Sequence, residues 1–518
     1  MRAFISYKRN VAPDEPLALQ LHRVLSERGH AAFIDQAMRV GVEWAKEIQH
    51  QVESADFFTV LLSPASAHSE MVVAEVEFAH RQNAARSRPI ILPVRLAFTE
   101  SLPYQLSAYL DRLQYARWRN EADTEAVIAA LLSAIESAET LPAGGTGPLG
   151  AIAAGRVEVS DDGRALSAVQ PVSAPLPNFD PRILLEAPTG AVKLKSQFYI
   201  EREGDDDLRR QVLGDGTTTT IRAPRQMCKT SLLVRGVQDA RKVGQQVVYI
   251  DFQRVNETYL SSLDGLLRYV ADEMALRLNL DPAAVDRAWT SSRGPQDKLN
   301  AFLERQVLPA AETPILLAID EADRLLNVPY KTDFFGLLRA WDSNRAYDEL
   351  WQHLNIVLVI STHPHLLITD VSQSPFNVGL RIQLSDFGPA QVAELNRRHG
   401  SPVEERDLSK LVELLGGHPY LTRQALYTLV DQKLSWAEFV RLAATEDGPF
   451  GSHLRYYLWQ LSDRPELVKG MQEVLTRERC FDEAVLYRLS AAGLVKEIGD
   501  RVSPRCGLYA QYFGAKLR

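Results

Sequence analysis

The sequence is poor in cysteine and has no long apolar segment. Its three cysteines, Cys228, Cys480 and Cys506, are far apart and show no metal-ligand spacing, which argues against a disulfide framework or a zinc site. No apolar run approaches the roughly 20 residues that a membrane-spanning helix needs. The first residues also lack the basic flank, long apolar stretch and cleavage site of a signal peptide. We therefore expect a cytoplasmic protein without a membrane partner.

The sequence also lacks an excess of basic residues. Its formal net charge of -8 gives no general attraction for nucleic acid, which is therefore not a default partner. The balance of 46% hydrophobic and 24% charged residues is that of a folded chain rather than a disordered one. A chain of 518 residues exceeds what one hydrophobic core usually organises, so we expect about three domains.

The N-terminal part alternates apolar runs with helical patterns. Four runs have the character of buried strands: 3–7, 31–34, 57–62 and 89–94. A helical pattern closes this part at 126–135, which predicts a small α/β domain with a parallel sheet over residues 1–137. Residues 138–185 are rich in Pro, Gly, Ala and Ser. That composition predicts a linker, with one hairpin around 157–169.

A second α/β pattern follows over residues 186–388. Its strand candidates are 217–221, 246–251, 315–320 and 356–361. Helical patterns then dominate, and we interpret 389–450 as a helical lid. The last part, 451–518, combines a helix, a hairpin turning at Gly499 and Asp500, and a closing helix, which together predict a winged-helix domain.

Four stretches of the N-terminal domain resemble the successive blocks of a TIR domain: FISYKRN, FIDQAMRVGVEWAKEI, ADFFTVLLSPASAHSEMVVAEVEFA and IILPVRL. The resemblance implies a flavodoxin-like fold whose ligand lies at the carboxyl ends of the parallel strands. It implies NAD+ as the substrate, bound by residues on the loops at those ends or close to them: Ser6, Tyr7, Lys8, Phe33, Trp44 and Ser69. For Phe33 and Trp44 the competing interpretation is a packing role in the core, and for Lys8 it is a solvated side chain.

Catalytic TIR domains carry a glutamate in the pattern Ser, spacer, Trp, Cys, two spacers, Glu. In this sequence Ser69 and Glu75 fill the outer positions, while Met71 and Val72 replace the tryptophan and the cysteine and are expected to pack. The resemblance implies that Glu75 is catalytic. Cleavage of the nicotinamide–ribose bond passes through an oxocarbenium-like state, which a carboxylate stabilises. The competing interpretation places Glu75 on a solvated first helical turn.

The stretch TTTTIRAPRQMCKTSLL lies between a predicted strand and a predicted helix, where a phosphate-binding loop belongs. The stretch ILLAIDEADRLL ends an apolar strand in Asp-Glu, a pair that binds magnesium and activates water in P-loop ATPases. Together they predict a nucleotide-binding domain. The loop itself would surround the phosphates with nine residues: Ala223, Pro224, Arg225, Gln226, Met227, Cys228, Lys229, Thr230 and Ser231.

The chain from about residue 186 resembles the AAA-like domains related to STAND signalling ATPases, also in PFNVGLRIQLSDFGPAQVAELNRRHG and LLGGHPYLTRQALY. This resemblance implies ATP or ADP with Mg²⁺ as cofactors. Lys229 would bind the β and γ phosphates, and Thr230 and Asp320 would hold the metal ion. It also assigns three further roles, to Glu321 as the base, Thr362 as the polar sensor residue and Pro419 as the lid proline near adenine.

Two glycines of the usual phosphate loop are replaced, by Ala223 and Cys228. A side chain forced to positive φ costs on the order of 1 to 2 kcal/mol, so the sequence predicts nucleotide binding with slow or absent hydrolysis. The alternative for Cys228 is a redox-sensitive thiol whose pKa is lowered beside Lys229.

The two resemblances imply an NAD+-cleaving effector in prokaryotic anti-phage immunity or stress signalling, regulated by its nucleotide-binding module. We expect it to form homo-oligomers through both the TIR and the AAA-like domains, and to respond to a separate sensor or trigger protein. Two alternatives stay open: a non-enzymatic adaptor that self-associates through its TIR domain, and a nucleotide-dependent DNA-binding regulator that uses the winged helix.

Overall fold

The computed structural model describes residues 1–35, 42–111, 113–139, 185–361, 376 and 378–517. The predicted hairpin at 157–169 lies outside these residues. The chain divides into two compact units. The first comprises Met1–Arg39 and Glu43–Phe179, and the second comprises Asp180–Arg518 with Val40–Val42.

The first unit is built on a parallel sheet with the strand order β2-β1-β3-β4-β5. Its strands are β1 (Arg2–Ser6), β2 (Ala31–Phe33), β3 (Phe57–Leu62), β4 (Ile90–Leu96) and β5 (Ala116–Trp118). Its helices are α1 (Asp14–Glu27), α2 (Val42–Ser54), α3 (Glu70–Arg86), α4 (Tyr104–Leu110) and α5 (Thr124–Glu139). All six residues of β3 are buried, as expected for a central strand covered on both faces. The predicted parallel α/β fold is confirmed.

The sheet of the second unit is also parallel, with the order β10-β6-β9-β8-β7. Its strands are β6 (Thr218–Arg222), β7 (Val247–Asp251), β8 (Ile315–Asp320), β9 (Leu354–Ile360) and β10 (Leu380–Gln383). Helices before and between these strands are α6 (Glu203–Val212), α7 (Lys229–Lys242), α8 (Glu257–Leu260), α9 (Leu263–Arg277), α10 (Ala283–Trp289), α11 (Pro295–Phe302) and α12 (Lys331–Asn344).

Successive residues of a strand point to opposite faces of a sheet, and β7 shows how both faces are covered. Val247 packs in a core cluster with α6 and α7, whereas Val248 and Ile250 pack in a second cluster with α9 and α12. The central strands are therefore continuous apolar runs, which explains why their positions can be predicted from sequence.

Helices follow the second sheet: α13 (Pro389–Arg398), α14 (Glu405–Leu415), α15 (Pro419–Asp431), α16 (Trp436–Ala443), α17 (Gly451–Ser462), α18 (Pro465–Arg477), α19 (Glu483–Ala491) and α20 (Gly507–Lys516). The predicted hairpin is present between α19 and α20. It consists of β11 (Val495–Ile498) and β12 (Arg501–Pro504), paired antiparallel around Gly499 and Asp500. Among the described helices, none combines the length and apolar character needed to cross a bilayer.

Candidate functional site

Glu75 lies on α3 and points into the first unit. It is 4% exposed, whereas Glu77 on the same helix is exposed. The Ser6 hydroxyl, at the carboxyl end of β1, donates a hydrogen bond of 2.5 Å to Glu75 Oε2. A hydroxyl bonded to a carboxylate at this distance is a short, charge-assisted contact. The contact joins two predicted site residues at the edge of the sheet where parallel strands bind ligands. This burial does not fit the interpretation of Glu75 as a solvated helix residue.

An ion pair lies at the same edge, and sequence reasoning missed it. Arg9 follows β1 and Asp35 follows β2. Arg9 Nε is 2.9 Å from Asp35 Oδ1, and both side chains are largely buried. Arg9 Nη2 also donates to the Asp35 carbonyl oxygen. Tyr7, which directly follows Ser6 in the sequence, is buried. Its hydroxyl has no hydrogen-bond partner among the described residues. Burial, and then the Asp35 charge, raise the pKa of Tyr7, so the phenol stays protonated.

The other predicted residues of the first unit contact protein groups or are buried. Lys8 Nζ donates to the Ala65 carbonyl oxygen at 3.4 Å. Ser69 precedes α3 as its N-cap residue and is buried. The Phe33 ring stacks on Phe4 at 5.5 Å, and Trp44 is 1% exposed. Phe33 and Trp44 thus have the packing contacts of the competing interpretation.

In the second unit, the loop between β6 and α7 has the predicted strand-loop-helix connection. Ala223 is buried, and its φ is not positive, so the first missing glycine causes no backbone strain. Cys228 differs, since it adopts φ +65° at the start of α7, and Gln226 adopts φ +62°. Left-handed conformations are unfavourable for residues with a side chain. The strain expected from the glycine replacement therefore falls on Cys228.

Cys228 is half-buried, and burial raises the pKa of its thiol. Nearby cations oppose this shift without reversing it, among them Arg202, Arg423 and Lys229. The alternative of a thiol with a lowered pKa is therefore wrong, because desolvation outweighs the neighbouring positive charges.

Lys229 begins α7 and is 6% exposed. Its ammonium donates to the Pro224 carbonyl oxygen at 3.0 Å, so the side chain folds back over the loop. Burial lowers the pKa of Lys229, while the carboxylates of Glu321, Asp323 and Asp320 oppose the shift. A cation held over the loop in this way can meet an incoming phosphate.

Asp320 ends β8 and is 2% exposed. Its carboxylate accepts from the Glu321 N–H at 2.9 Å and from the Tyr249 hydroxyl at 3.2 Å. Burial raises the pKa of Asp320, and a hydrogen bond from Thr230 is the main opposing effect. Tyr249 is a site residue that sequence reasoning missed. It lies on β7, which pairs with β8 in register, but no local motif marks it.

Glu321, the expected base, adopts a left-handed conformation with φ 53° and ψ 42°. Burial raises the pKa of Glu321, and the charge of Lys229 opposes that shift. Strained backbone in a non-glycine residue often marks a functional position.

The residues around Asp320 fit a magnesium ion. Mg²⁺ prefers oxygen ligands and is usually bound through one or two carboxylates, phosphate oxygens and water. The Thr230 hydroxyl acts on the Asp320 carboxylate, whose pKa it lowers. Within the described ranges, no group of three or more His, Cys, Asp or Glu side chains could hold a metal ion alone. Such a site needs the oxygen atoms of a bound nucleotide for completion.

Side chains from α17 and the region after the hairpin touch this same loop. Arg225 donates to the Tyr456 hydroxyl on α17. Arg505 Nη2 donates to Asp386 Oδ1 at 2.8 Å and lies 3.3 Å from Met227 Sδ. Tyr456 of α17 and Arg505, which follows the hairpin, therefore contact the loop that would carry the phosphates.

Three predicted residues remain. Pro419 is buried at the first position of α15, where its missing N–H costs no helical hydrogen bond. Ser231, next to Thr230, accepts a hydrogen bond from the Val192 N–H at 2.9 Å, so it fixes the entering chain. Thr362 lies outside the described residues.

These features define an α/β protein in which a flavodoxin-like unit precedes a P-loop ATPase-like unit. The AAA-like domain family model matches residues 187–515, and the TIR domain model matches residues 3–132. The chain belongs to the AAA-like domain family and carries an N-terminal TIR domain.

An uncharacterized WD repeat-containing protein of Synechocystis sp. is 29% identical over 246 residues, which is 45% of this chain and 20% of the relative. The chain thus spans about a fifth of that protein. Two similar solved structures are the Walker-type ATPase PABY2304 of Pyrococcus abyssi and the ORC2 protein of Aeropyrum pernix. The first has 15% identity and a TM-score of 0.43, covering 61% of this chain and 96% of its own. The second has 14% identity and a TM-score of 0.36, and the match covers 66% of this chain and 98% of the ORC2 chain.

Proposed function

We propose that this protein is an NAD+ glycohydrolase in which the nucleotide-binding second unit controls cleavage by the TIR domain. Its role would be the depletion of NAD+ in prokaryotic anti-phage immunity or stress signalling. The observation that carries the proposal is the buried Glu75 carboxylate, hydrogen-bonded to Ser6 at the carboxyl edge of the first sheet.

Each residue of this edge has a distinct task. Glu75 stabilises the positive charge that develops on the ribose as the nicotinamide leaves, and Ser6 fixes the carboxylate orientation. Nicotinamide in NAD+ is already positively charged and needs no acid to leave. The Arg9–Asp35 pair supplies donors and an acceptor for the ribose and the pyrophosphate, and Lys8 offers a point charge.

The second unit would bind ATP or ADP with magnesium. Lys229 would meet the β and γ phosphates, Thr230 and Asp320 would hold the ion, and Glu321 would act as the base towards water. Magnesium supplies charge neutralisation for the phosphates when it is bound. Backbone strain at Cys228 and Gln226 favours slow hydrolysis. The unit would therefore respond to which nucleotide is bound rather than turn over ATP rapidly.

Regulation would pass through the packing of α17 and the hairpin region on the phosphate loop. We assign residues 186–388 to the nucleotide-binding core, 389–450 to a lid and 451–518 to a winged-helix domain. The contacts of Tyr456 and Arg505 with the loop support a regulatory role for the last of these, rather than DNA binding.

The deciding experiment incubates the purified protein with NAD+, with and without ATP, and follows nicotinamide release. We expect release that depends on Glu75 and changes with nucleotide. If no Glu75-dependent release occurs under any nucleotide condition, the adaptor role is favoured instead. Salt-sensitive binding to duplex DNA would favour the DNA-binding regulator.

A further inference from the structure

One tyrosine of the second sheet contacts the carboxylate that would hold the metal ion. Tyr249 is the middle residue of β7, which ends at Asp251. Its hydroxyl donates to Asp320 Oδ2 at 3.2 Å. The other carboxylate oxygen, Oδ1, accepts from the Glu321 N–H at 2.9 Å. Each oxygen of the Asp320 carboxylate therefore has a donor, one on the neighbouring strand and one in the backbone.

The pairing of the two strands brings the tyrosine hydroxyl to Asp320. β7 and β8 are parallel, with Tyr249 opposite Ala318. Asp251 stands opposite Asp320 in the same register. Alternate residues of a strand share a face, so Tyr249 lies on the same face of the sheet as Ala318 and Asp320. The tyrosine reaches Asp320 diagonally across the two strands, a distance that a long aromatic side chain can span.

The same face of the sheet is covered by α7, the helix that begins with Lys229 and Thr230. Ala318 belongs to a buried apolar cluster with residues of α7, and Tyr249 packs against that cluster. The ring is therefore held by packing, while its hydroxyl end reaches the polar site. Thr230 acts on the same carboxylate as Tyr249. The tyrosine and the start of α7 thus meet at Asp320.

Asp251, the carboxylate opposite Asp320, is bound to other partners. Its Oδ1 accepts from the Gln253 N–H at 2.9 Å, and its Oδ2 lies 3.4 Å from Arg254 Nε. These contacts hold Asp251 to the turn that follows β7. Asp320 is therefore the carboxylate of this pair that is directed to the start of α7, and the Tyr249 hydroxyl orients it from the side of β7.

We infer that Tyr249 is a positioning residue for the magnesium site, and that its hydroxyl fixes the Asp320 carboxylate in the orientation that a nucleotide-bound ion requires. The inference rests on the proposed binding of Mg-ATP to the second unit. A phenol is neutral at pH 7, since its ordinary pKa is about 10, and it therefore serves as a donor to the carboxylate. Removal of a group that orients a metal ligand typically lowers metal affinity by about 10- to 100-fold.

The test compares the full chain with its Tyr249→Phe variant, which loses the hydroxyl and retains the ring. Both proteins are titrated with ATP by isothermal calorimetry, first in EDTA and then in saturating Mg²⁺. The ratio of the two affinities measures the coupling between metal and nucleotide. We expect this ratio to fall about 10-fold in the variant, with the affinity in EDTA unchanged. A tyrosine that only supported the fold would change both affinities together or neither.

Tyr330→Phe is the matched control, because it also removes the hydroxyl of a buried tyrosine in the second unit. That hydroxyl donates to the Leu260 carbonyl oxygen at 2.6 Å. The ratio for this control should equal that of the unaltered protein. A second variant, Tyr249→Leu, loses the ring together with the hydroxyl. It should show at least the same fall in the ratio, and it provides the test if the phenylalanine variant does not fold.

The Asp320→Asn background shows whether the tyrosine acts through Asp320. In that background Tyr249→Phe should cause no further fall in the ratio, because the carboxylate that it orients is already lost. A further fall of full size there, or an unchanged ratio in Tyr249→Phe alone, would overturn the inference while leaving the proposed nucleotide binding in place. Absence of ATP binding by the unaltered protein in both conditions would overturn both.

Discussion

Glu75 differs from Glu70 and Glu77 in its surroundings and not in its chemistry. All three lie on α3, but only Glu75 is buried and bonded to Ser6. We expect Glu75→Gln to lower the rate of nicotinamide release by at least about 100-fold, because an amide cannot neutralise the developing positive charge. The near-isosteric change preserves the fold, which circular dichroism would verify.

Glu77→Gln is the matched control, since Glu77 is exposed on the same helix. It should retain nearly the full rate. A Glu75→Gln protein that releases nicotinamide as fast as the control would remove Glu75 from the mechanism.

Cys228 offers a second test at the scale of a single residue. Replacement by glycine removes the side chain from a position with φ +65°, where it costs on the order of 1 kcal/mol. We expect Cys228→Gly to bind Mg-ATP more tightly or to hydrolyse it faster, as measured by calorimetry and phosphate release. Equal affinity and equal rate in both proteins would mean that the cysteine is conformationally neutral.

His399 connects α13 to the start of the second unit. Its Nδ1 lies 2.8 Å from the Leu395 carbonyl oxygen, and its ring is 4.3 Å from that of Phe198. Burial lowers the pKa of His399 from 6.5 to about 4. The unfolded state therefore binds a proton below about pH 6.5, whereas the folded state does not until about pH 4. This packing is stable above pH 6.5 and weakens as the pH falls towards 4.

We expect the free energy of unfolding of the second unit to fall between pH 6.5 and 4, by about 3 kcal/mol from His399 alone. His399→Gln should show a shallower dependence in denaturant titrations at several pH values. Part of the pH dependence should remain in this variant, because burial also lowers the pKa of His418. An unchanged slope in the variant would mean that His399 is not buried as a neutral ring.

The Arg505–Asp386 pair joins the region after β12 to the segment after β10. Both single changes, Arg505→Gln and Asp386→Asn, should destabilise the second unit, by about 3 kcal/mol for the buried arginine. The double variant should recover about 1 to 3 kcal/mol relative to additivity, as measured by denaturant unfolding. Strict additivity would show that the two side chains do not interact.

Secondary structure could be predicted where residue pattern alone determines it. The strand at Ile315–Asp320 is a continuous apolar run bounded by an acidic pair, and its predicted limits agree with the structure. The strands Ala116–Trp118 and Leu380–Gln383 were missed, because each is short, lies at a sheet edge and carries a charged residue. A run of apolar residues indicates a buried strand, whereas edge strands are only partly buried and therefore lack such a run.

The candidate sites likewise contain residues that sequence pattern identifies and residues that it does not. Glu75, Lys229 and Asp320 lie in local motifs with recognisable spacing. The Arg9–Asp35 pair joins residues 26 apart in sequence, and Tyr249 meets Asp320 across 71 positions. Such partners depend on which strands become neighbours, and spacing within one segment does not contain that information.

For the whole molecule, we expect NAD+ cleavage to depend on self-association. Residues 138–185 join the TIR domain and the second unit within one chain. Association through the second unit would then raise the effective concentration of the TIR domains. Specific activity should therefore increase with protein concentration, measured by nicotinamide release alongside light scattering.

The Lys229→Ala variant tests whether nucleotide binding controls self-association and NAD+ cleavage. By weakening phosphate binding it should alter both the size of the oligomer and the rate of NAD+ cleavage. Full specific activity in a monomeric preparation, together with an unaffected rate in the Lys229 variant, would show that the two units work independently.

The segment that precedes the second sheet is bound to α7, and this limits where the nucleotide-binding unit can be separated from the rest of the protein. Arg235 donates to the carbonyl oxygens of Val192 and Lys193, its guanidinium lies 3.4 Å from the centroid of the Tyr199 ring, and Ser231 holds the Val192 N–H. A shortened protein that begins after this segment would leave the guanidinium without these partners beside the phosphate loop. Excision or grafting of the nucleotide-binding unit therefore has to retain residues 192–199, although the first strand of its sheet along the chain begins only at Thr218.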